Sequence, residues 1–316
     1  MNFFLGVDAG GTKIRAVIID EASQIKAEEV GGPANYHNIG LKKTITNVYR
    51  AIAGVLSKAY LSENDITWAT IGIAACDSQK DHERLFGGFT TDVMAGFAQK
   101  LTVVNDTKVA LYSGTLPPAL VVICGTGANV YGKNATGTGA MAGNWGYFLG
   151  DKGSGYILAQ RMFQTIVEHH DGIIEAPFLA TKLEKKLGVK SSKDISDWYN
   201  DAKPSIHEIS DFAKVVIDAA ETGDEVARQL VDKTIAELGK ALMGVVRRLK
   251  MEDEFNRVVI VGGLFESKYF RALFEGHVTA LLKKVRIVKP LVSAAVGAAI
   301  MAKQEWSKTL SSTEVS

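Results

Sequence analysis

The sequence contains the same arrangement of strand, glycine turn and strand twice, and this duplication restricts the folds that the chain can adopt. The first copy starts at Phe3, turns at residues 8–13 and continues as an alternating strand. The second copy starts at Leu120, turns at residues 125–127 and continues to Gly132. Apolar runs that stop at a glycine turn and then resume are typical of β-hairpins. Two such hairpins in one chain predict two related halves.

Patterns typical of strands and helices alternate between the hairpins and after them. Hydrophobic periodicity predicts helices at 41–59, 154–168, 206–220, 226–249 and 293–303, and strands at 70–75, 101–104 and 258–261. This alternation indicates an α/β fold. A length of 316 residues is a prior for two domains, and the turn-rich segment 114–118 predicts their boundary. We therefore expect an N-terminal domain over 1–114 and a C-terminal domain over 115–316, with the helix at 293–303 free to pack on the first.

The composition points to a small-molecule partner. The 36 Lys and Arg nearly balance the 35 Asp and Glu, so the formal charge is +1 and no nucleic-acid footprint is expected. The longest uncharged stretch, 109–132, is interrupted by Gly and Pro, and no export signal is recognised, so no membrane partner is expected. The two cysteines, Cys76 and Cys124, lie in apolar segments and exclude a disulfide framework. We expect a cytoplasmic protein.

The first glycine turn has the chemistry of a phosphate-binding loop. It combines two residues without a side chain, a hydroxyl and a cation: Gly10, Gly11, Thr12 and Lys13. Asp8 at the end of the preceding strand is a candidate ligand for Mg²⁺, through water. A tight hairpin with a capping aspartate would explain the same residues. The second turn, Gly125, Thr126 and Gly127, repeats the chemistry at the equivalent point and favours a pair of phosphate sites.

Two carboxylates follow predicted strands, and ligand sites of α/β sheets lie at the carboxyl ends of strands. Asn105 and Asp106 follow the strand at 101–104 and precede a helical segment. Asp106 could orient a substrate hydroxyl and accept its proton during phosphoryl transfer. Helix capping by either residue is the alternative. Asp77, after the strand at 70–75, is a weaker candidate of the same kind.

Two polar loops suit a neutral, hydroxylated ligand. Asn35 and His37 place amide and imidazole groups in one loop, for which a solvated surface loop is the alternative. The segment 143–155 is too rich in glycine and aromatic residues for a plain linker. Asp151 within it could bind a polyol, or it could stabilise the dipole of the helix predicted from Ser154.

In order and spacing, these motifs resemble one family over nearly the whole chain. They are the segments 6–13, 105–106, 125–127, 145–146, 150–154 and 262–263. Together they look like the N-acetylglucosamine kinase and BadF/BadG ATPase family, in the superfamily of actin, sugar kinases and heat-shock ATPases. Residues 35–40 are also similar to the sugar loop of archaeal broad-specificity hexokinases in this family.

The resemblance implies two actin-like, ribonuclease H-like lobes with an ATP and sugar cleft between them. The first phosphate loop would include Asp8, Gly10, Gly11, Thr12 and Lys13, the second Gly125, Thr126 and Gly127, and the adenosine motif Gly262 and Gly263. Asp106 would be the catalytic base. The candidate substrate-binding residues are Asn35, His37, Asp77, Asn105, Asp106, Gly143, Trp145 and Asp151. ATP and Mg²⁺ would be required, and a homodimer is expected.

The implied activity is transfer of the γ-phosphoryl group of ATP to the 6-hydroxyl of a hexose or N-acetylhexosamine. N-acetylglucosamine, glucosamine, glucose and N-acetylmannosamine all remain open as substrates. Ala128, Asn144 and Lys152 depart from the usual family pattern and leave the sugar preference open. A sensor descended from a kinase is a further, less favoured alternative.

A second activity in the same family is the ATPase activator of a 2-hydroxyacyl-CoA dehydratase or a benzoyl-CoA reductase. Such an activator holds an iron-sulfur cluster between two subunits, with two cysteines from each. The cysteine count of this chain permits that activity. The apolar segments around Cys76 and Cys124 predict buried thiols and argue against it.

Overall fold

The computed structural model describes residues 1–91 and 95–313. Its strands are β1 (Phe3–Ala9), β2 (Ile14–Asp20), β3 (Ile25–Gly31), β4 (Ile66–Ile73), β5 (Leu101–Asn105), β6 (Ala119–Cys124), β7 (Ala128–Lys133), β8 (Gly139–Gly143), β9 (Asn256–Val261) and β10 (Val285–Val288). Its helices are α1 (Tyr36–Ile39), α2 (Leu41–Ala59), α3 (Gln79–Thr90), α4 (Asp106–Tyr112), α5 (Gly146–Leu149), α6 (Gly155–His170), α7 (Phe178–Leu187), α8 (Ser192–Ala202), α9 (Ile206–Ser210), α10 (Ala213–Glu221), α11 (Glu225–Leu249), α12 (Lys268–Leu281) and α13 (Ala294–Thr313).

The chain divides into two compact units. The first unit runs from Met1 to Pro117 and includes the chain from Lys289 onward, and the second runs from Pro118 to Val288. Each unit is built on a five-stranded sheet, in the order β3-β2-β1-β4-β5 in the first and β10-β9-β6-β7-β8 in the second. Read from its other edge, the second sheet has the same sequence of antiparallel and parallel neighbours as the first. The predicted duplication is therefore present in the topology.

The sheet of the first unit brings the carboxyl ends of three strands to one edge. β1, β4 and β5 are parallel neighbours, and Ala9, Ile73 and Asn105 lie side by side in register. Because parallel strands point the same way, the residues that follow these three lie at a common edge. In the second unit β6 and β9 are parallel in the same manner, with Ile123 beside Val261.

Helices cover the sheet of the first unit, and a glycine permits the closest approach. α13 packs on β1, where a Cβ at Gly6 would lie 2.1 Å from the carbonyl oxygen of Ala295. The predicted helix at 41–59 is present as α2, and it buries the stripe Thr44, Val48, Ala51, Ile52 and Val55. This spacing of three and four residues is that of one helix face.

The predicted helix at 206–220 is two helices, which is a correction to the sequence analysis. The chain turns between α9 and α10 at Phe212, whose N–H bonds to the carbonyl of Ile209 at 3.0 Å. The Phe212 ring packs edge-on against Phe163 and Trp198, with ring centroids 5.2 and 5.7 Å away. Packing of this ring accompanies a break that the continuous helical pattern does not reveal.

Three strands have no clear hydrophobic signal in the sequence. β3 alternates between exposed and half-buried residues and has no fully buried face, because it lies at a sheet edge. β8 has the sequence GAMAG, and β10 has only four residues.

Within the described ranges 1–91 and 95–313, the helices lack the combination of length and apolar composition needed to cross a membrane.

Candidate functional site

The first glycine loop joins β1 to β2 and is largely exposed. The Gly10 N–H donates to the Lys13 carbonyl at 3.0 Å and closes the turn. Gly11, Thr12 and Lys13 are exposed, and a Cβ at Gly11 would meet no neighbouring atom within 4 Å. The Gly10 carbonyl accepts from the N–H of Ala34 at 3.0 Å. A ligand can therefore approach the tip of this loop freely.

Three aspartates lie at the carboxyl edge of the first sheet. Asp8 is near the end of β1, Asp77 follows β4 and Asp106 begins α4 directly after β5. Burial raises the pKa of Asp106 to about 6, and the negative charges of Asp8 and Asp77 contribute to the increase. Burial also raises the pKa of Asp8, although Arg15 and Lys13 oppose this. Negative charge is therefore concentrated at this edge, where Asp8 and Asp106 have limited hydration and Asp77 is exposed.

Asn105 uses its side chain to arrange this edge. It is 2% exposed and forms the N-cap of α4, where its Oδ1 accepts from the Thr107 N–H at 2.9 Å. Its Nδ2 donates to Asp77 Oδ1 at 2.8 Å. The capping alternative therefore applies to Asn105, and the same amide orients the Asp77 carboxylate.

The polar loop after β3 is attached to the first glycine loop. Asn35 caps α1 and accepts from the N–H of the exposed His37 at 3.1 Å. The Ala34 N–H bond to Gly10 joins the two loops. Tyr36, which the sequence analysis did not select, is buried and donates its hydroxyl to Asp81 of α3. A single aromatic residue in an otherwise polar loop was the available signal.

The second glycine loop joins β6 to β7 and is held from several sides. The Gly125 N–H donates to the Gly127 carbonyl at 3.0 Å. The first two N–H groups of α6, at Gly155 and Tyr156, donate to the carbonyls of Gly125 and Thr126 at 2.8 and 3.3 Å. The Thr126 hydroxyl lies 3.0 Å from His207 Nδ1 of α9. His207 carried no motif in the sequence and was missed.

Asp151 supports the second glycine loop. Its backbone is in the left-handed region, with φ of 53°. Its Oδ1 accepts from the Asn144 N–H at 3.2 Å, and a Cβ at Gly127 would lie 2.9 Å from its Oδ2. Burial raises the pKa of Asp151, while bonds from the backbone of Asn144 and Ala128 oppose the increase. The carboxylate therefore connects the loop to the segment after β8.

Three predicted substrate-binding residues of the second unit line one cavity of about 290 Å³. They are Gly143, Trp145 and Asp151. Asn129, Lys152, Glu237 and Lys240 also line this cavity. Asn129 lies two residues after the glycine loop, and this position in the sequence could have identified it as a candidate site residue. Glu237 and Lys240 lie on α11, far along the chain, and no sequence signal connects them to the loop.

The glycine pair at 262–263 follows β9 at the same edge of the second sheet. Gly262 has φ of 115°, and a Cβ there would lie 2.3 Å from the Cys124 carbonyl oxygen at the end of β6. Gly263 faces open space, because a Cβ there would meet no neighbouring atom within 4 Å. The first glycine is needed for packing, and the second leaves the backbone accessible.

The two thiols are buried and free. Cys76 and Cys124 are free, and burial raises the pKa of the Cys76 thiol to about 11 and raises that of Cys124 as well. In residues 1–91 and 95–313, His, Cys, Asp and Glu do not form a group of three or more that could hold a metal ion.

Comparison with known proteins gives relatives over almost the full chain. An N-acetylmuramic acid/N-acetylglucosamine kinase of Clostridium acetobutylicum is 27% identical, with 96% of this chain and 99% of that protein aligned. An N-acetyl-D-glucosamine kinase of Dictyostelium discoideum is 26% identical, with 95% and 98% aligned.

A solved structure shows the same fold. A candidate N-acetylglucosamine kinase from Chromobacterium violaceum is similar with a TM-score of 0.73, at 23% identity, over 96% of this chain and 99% of that one. The α/β fold with two actin-like lobes is thereby confirmed. The model of the BadF/BadG/BcrA/BcrD ATPase family matches residues 5–302. The two sheets and the paired glycine loops agree with this match. The chain therefore belongs to the BadF/BadG/BcrA/BcrD ATPase family.

Proposed function

We propose that the protein is an ATP-dependent sugar kinase that transfers the γ-phosphoryl group of ATP to the 6-hydroxyl of a hexose or N-acetylhexosamine. The two curated relatives are named as kinases of N-acetylated amino sugars and align with almost the whole chain. The observation that carries the proposal is the Asp106 carboxylate, which lies at the carboxyl edge of a sheet with its pKa raised to about 6. Such a group is ionised at neutral pH and retains basicity for proton abstraction.

In this mechanism Asp106 accepts the proton of the sugar hydroxyl. The charges of Asp8 and Asp77 raise the basicity of Asp106, because they favour its protonated form. Asn105 assists by holding Asp77 through the bond of 2.8 Å. The buried Asn105 amide thus orients Asp77, whose charge raises the pKa of the proposed base Asp106.

The two glycine loops are proposed to bind the phosphates of ATP, and the glycines at 262–263 its nucleoside. A Cβ at Gly11 or Gly125 would meet no neighbouring atom within 4 Å, so a phosphate can approach both loops closely, although the Gly125 N–H already donates to the Gly127 carbonyl. Thr12, Lys13 and Thr126 would add donors. In phosphoryl transfer, catalysis is mainly positioning and charge stabilisation, which such loops supply.

The residues at the first edge suit Mg²⁺. Asp8 provides a hard carboxylate oxygen whose burial disfavours its charge, so a cation beside it would be stabilised. Mg²⁺ in phosphoryl transfer takes one or two carboxylates together with substrate phosphates and water, and needs no cage of protein ligands. When bound, Mg²⁺ would neutralise phosphate charge, and Asp8 would hold it through water.

The sugar is proposed to contact the candidate substrate-binding residues of both polar loops. Asn35, His37 and Asp77 would act from the first unit, together with the positioning residue Asn105. Gly143, Trp145 and Asp151 would act from the second, where they line a cavity of about 290 Å³. The aromatic, amide and carboxylate groups of Trp145, Asn129 and Asp151, which line that cavity, suit a ring with several hydroxyls.

The alternative of an activator ATPase receives no support from the thiols. Cluster ligation requires accessible, ionised cysteines, whereas Cys124 is 0% exposed and Cys76 is 8% exposed. The Cys124 Sγ also donates to the Gly153 carbonyl at 3.2 Å. Both thiols are explained as parts of the cores of their own units.

The test is release of ADP from Mg-ATP in the presence of N-acetylglucosamine, glucosamine, glucose or N-acetylmannosamine. Strong stimulation by one sugar, with the sugar 6-phosphate identified by mass spectrometry, is the expected result. Equal ATP hydrolysis with and without every sugar would contradict the kinase proposal, and iron content would then be measured. Repeating the assay with other nucleoside triphosphates identifies the preferred donor.

The expected homodimer and the cytoplasmic location stay predictions. Size-exclusion chromatography with light scattering measures the first, where a mass near 68 kDa, about twice the chain mass of 34.0 kDa, is expected. Fractionation of the source cells measures the second.

A further inference from the structure

The His207 side chain reaches the second glycine loop from outside the β6–β7 hairpin and contacts the Thr126 hydroxyl. Its Nδ1 lies 3.0 Å from Thr126 Oγ1. The contact joins residues 81 positions apart, so it forms only in the folded unit. Thr126 is the one residue of the loop at 125–127 with a polar side chain. The imidazole therefore contacts the Thr126 hydroxyl, which is the polar side-chain group of this loop.

The helix that carries His207, α9, is capped at its N-terminus and has a buried residue. Ser205 and Glu208 form a capping box, in which Glu208 Oε2 accepts from the Ser205 N–H at 2.8 Å and Ser205 Oγ accepts from the Glu208 N–H at 3.2 Å. Ile209 is buried on the inner side of α9. A capped helix with a buried face holds the backbone of His207 in place, while the His207 side chain is exposed and reaches Thr126 at the surface.

The chemistry of the contact has two forms, and only one is compatible with a bound phosphate. A neutral imidazole has one donor and one acceptor nitrogen, and a hydroxyl has one donor hydrogen. If Nδ1 accepts, the Thr126 hydrogen is consumed and its oxygen faces the phosphate with lone pairs only. If Nδ1 donates, the Thr126 hydroxyl is free to donate to a phosphate oxygen.

We infer that His207 is a positioning residue for the nucleotide, which donates from Nδ1 to Thr126 Oγ1 so that the Thr126 hydroxyl donates to a phosphate of ATP. This inference rests on the proposed binding of phosphate by the second glycine loop. The relay adds one oriented donor to those of the loop backbone. It contributes to the affinity for ATP and not to the affinity for the sugar.

Four single variants and one double variant, His207→Ala with Thr126→Val, test the relay, together with the wild-type protein. His207→Ala removes the imidazole, and His207→Asn retains a hydrogen-bonding atom near the position of Nδ1. Thr126→Val removes the hydroxyl with little change in shape. Ile206→Ala is the matched control, since Ile206 is 44% exposed on the same helix and its apolar side chain cannot bond to the Thr126 hydroxyl.

The dissociation constant for ATP is measured by calorimetry without sugar, and kcat and both KM values by ADP release. His207→Ala is expected to weaken ATP binding by about threefold to tenfold, the value of one hydrogen bond, with the sugar KM unchanged. His207→Asn should recover most of the loss. The double variant with Thr126→Val should bind ATP no more weakly than Thr126→Val alone, because both substitutions break one relay.

Two sets of results would overturn the inference. If His207→Ala binds ATP as the wild type does, or if its effect adds fully to that of Thr126→Val, the relay does not exist. An equal loss in Ile206→Ala would instead assign the effect to the stability of α9. A wild-type protein that does not bind ATP contradicts the proposed function itself, whereas the results above contradict the role of His207 alone.

Discussion

The two glycine loops close equivalent hairpins in equivalent sheets, yet the protein holds them differently. The first loop has an exposed tip, and its link to neighbouring chain is the bond between Gly10 and Ala34. The second is supported by the start of α6, by the Asp151 carboxylate and by His207. Equal topology therefore produces one loop open to adjustment and one held in a defined shape.

The sheet edges beside these loops differ in charge. The first edge carries Asp8, Asp77 and Asp106, and their mutual repulsion contributes to the raised pKa of Asp106. The second edge carries the glycines at 125–127 and 262–263, with Asp151 as a support. In the proposed kinase, the first unit supplies the proton acceptor and the metal ligand, and the second supplies rigid backbone donors.

The largest expected effect comes from the charged edge. Asp106→Asn should lower kcat by about 10²- to 10⁴-fold, the usual contribution of a general base, with ATP affinity nearly unchanged. Steady-state kinetics and calorimetry measure the two quantities. Asp201→Asn, an exposed aspartate in α8, is the matched control and should retain full activity. Unchanged turnover in Asp106→Asn would remove Asp106 from the mechanism.

Substitutions of Gly262 and Gly263, which follow β9, test the edge of the second sheet. Gly262→Ala should lower the free energy of unfolding by about 3 kcal/mol or more, because the new Cβ would lie 2.3 Å from the Cys124 carbonyl and φ is 115°. Gly263→Ala meets no atom within 4 Å and should change stability far less. Denaturant unfolding of both variants measures the difference. Equal stability of the two would show that the close approach is unimportant.

The pH dependence of activity should follow the ionisation of Asp106 at the first edge. Since Asp106 must be ionised to accept a proton and has a pKa of about 6, kcat/KM is expected to fall about tenfold per unit as the pH decreases below 6. Asp77→Asn should move this decrease to lower pH, because it removes a negative charge that raises the pKa of Asp106. A profile that is flat between pH 5 and pH 8 would contradict the assignment.

The same raised pKa should reduce stability at neutral pH. The pKa of Asp106 rises from 3.8 to about 6 on folding, so this one group removes on the order of 3 kcal/mol of stability from the wild type as the pH increases across this interval. Asp106→Asn has no charge to bury and should lose less. Thermal unfolding of both proteins at pH 4 and pH 8 measures the difference. Equal changes in stability of the wild type and Asp106→Asn between these pH values would contradict the prediction.

The smallest expected effect on stability is at the open loop. Gly11→Ala should leave the free energy of unfolding within about 0.5 kcal/mol of the wild-type value, since a Cβ there meets no atom within 4 Å. ATP affinity should nevertheless decrease about threefold to tenfold, because the methyl group would displace a phosphate from the loop backbone. Gly87→Ala, on the exposed side of α3, should not change ATP affinity. Calorimetry distinguishes the two.

The candidate substrate loops repeat the comparison between the units. Asn35 follows β3, and Trp145 and Asp151 follow β8, which are the equivalent strands of the two sheets. The first segment forms the short capped helix α1, whereas the second forms α5 and leaves Trp145 66% exposed. Duplicated topology therefore places polar groups at matching positions, although the local sequences fill them differently.

The sequence by itself determined the α/β class, the two hairpins with their glycine turns and the helix α2, because these depend on periodicity and on residues that adopt turns within a few positions. The order of motifs also determined the family. The tertiary structure alone decided the break at Phe212, the pKa of Asp106 and the link from Thr126 to His207. Each of these depends on burial or contact between residues distant along the chain, which local patterns do not encode.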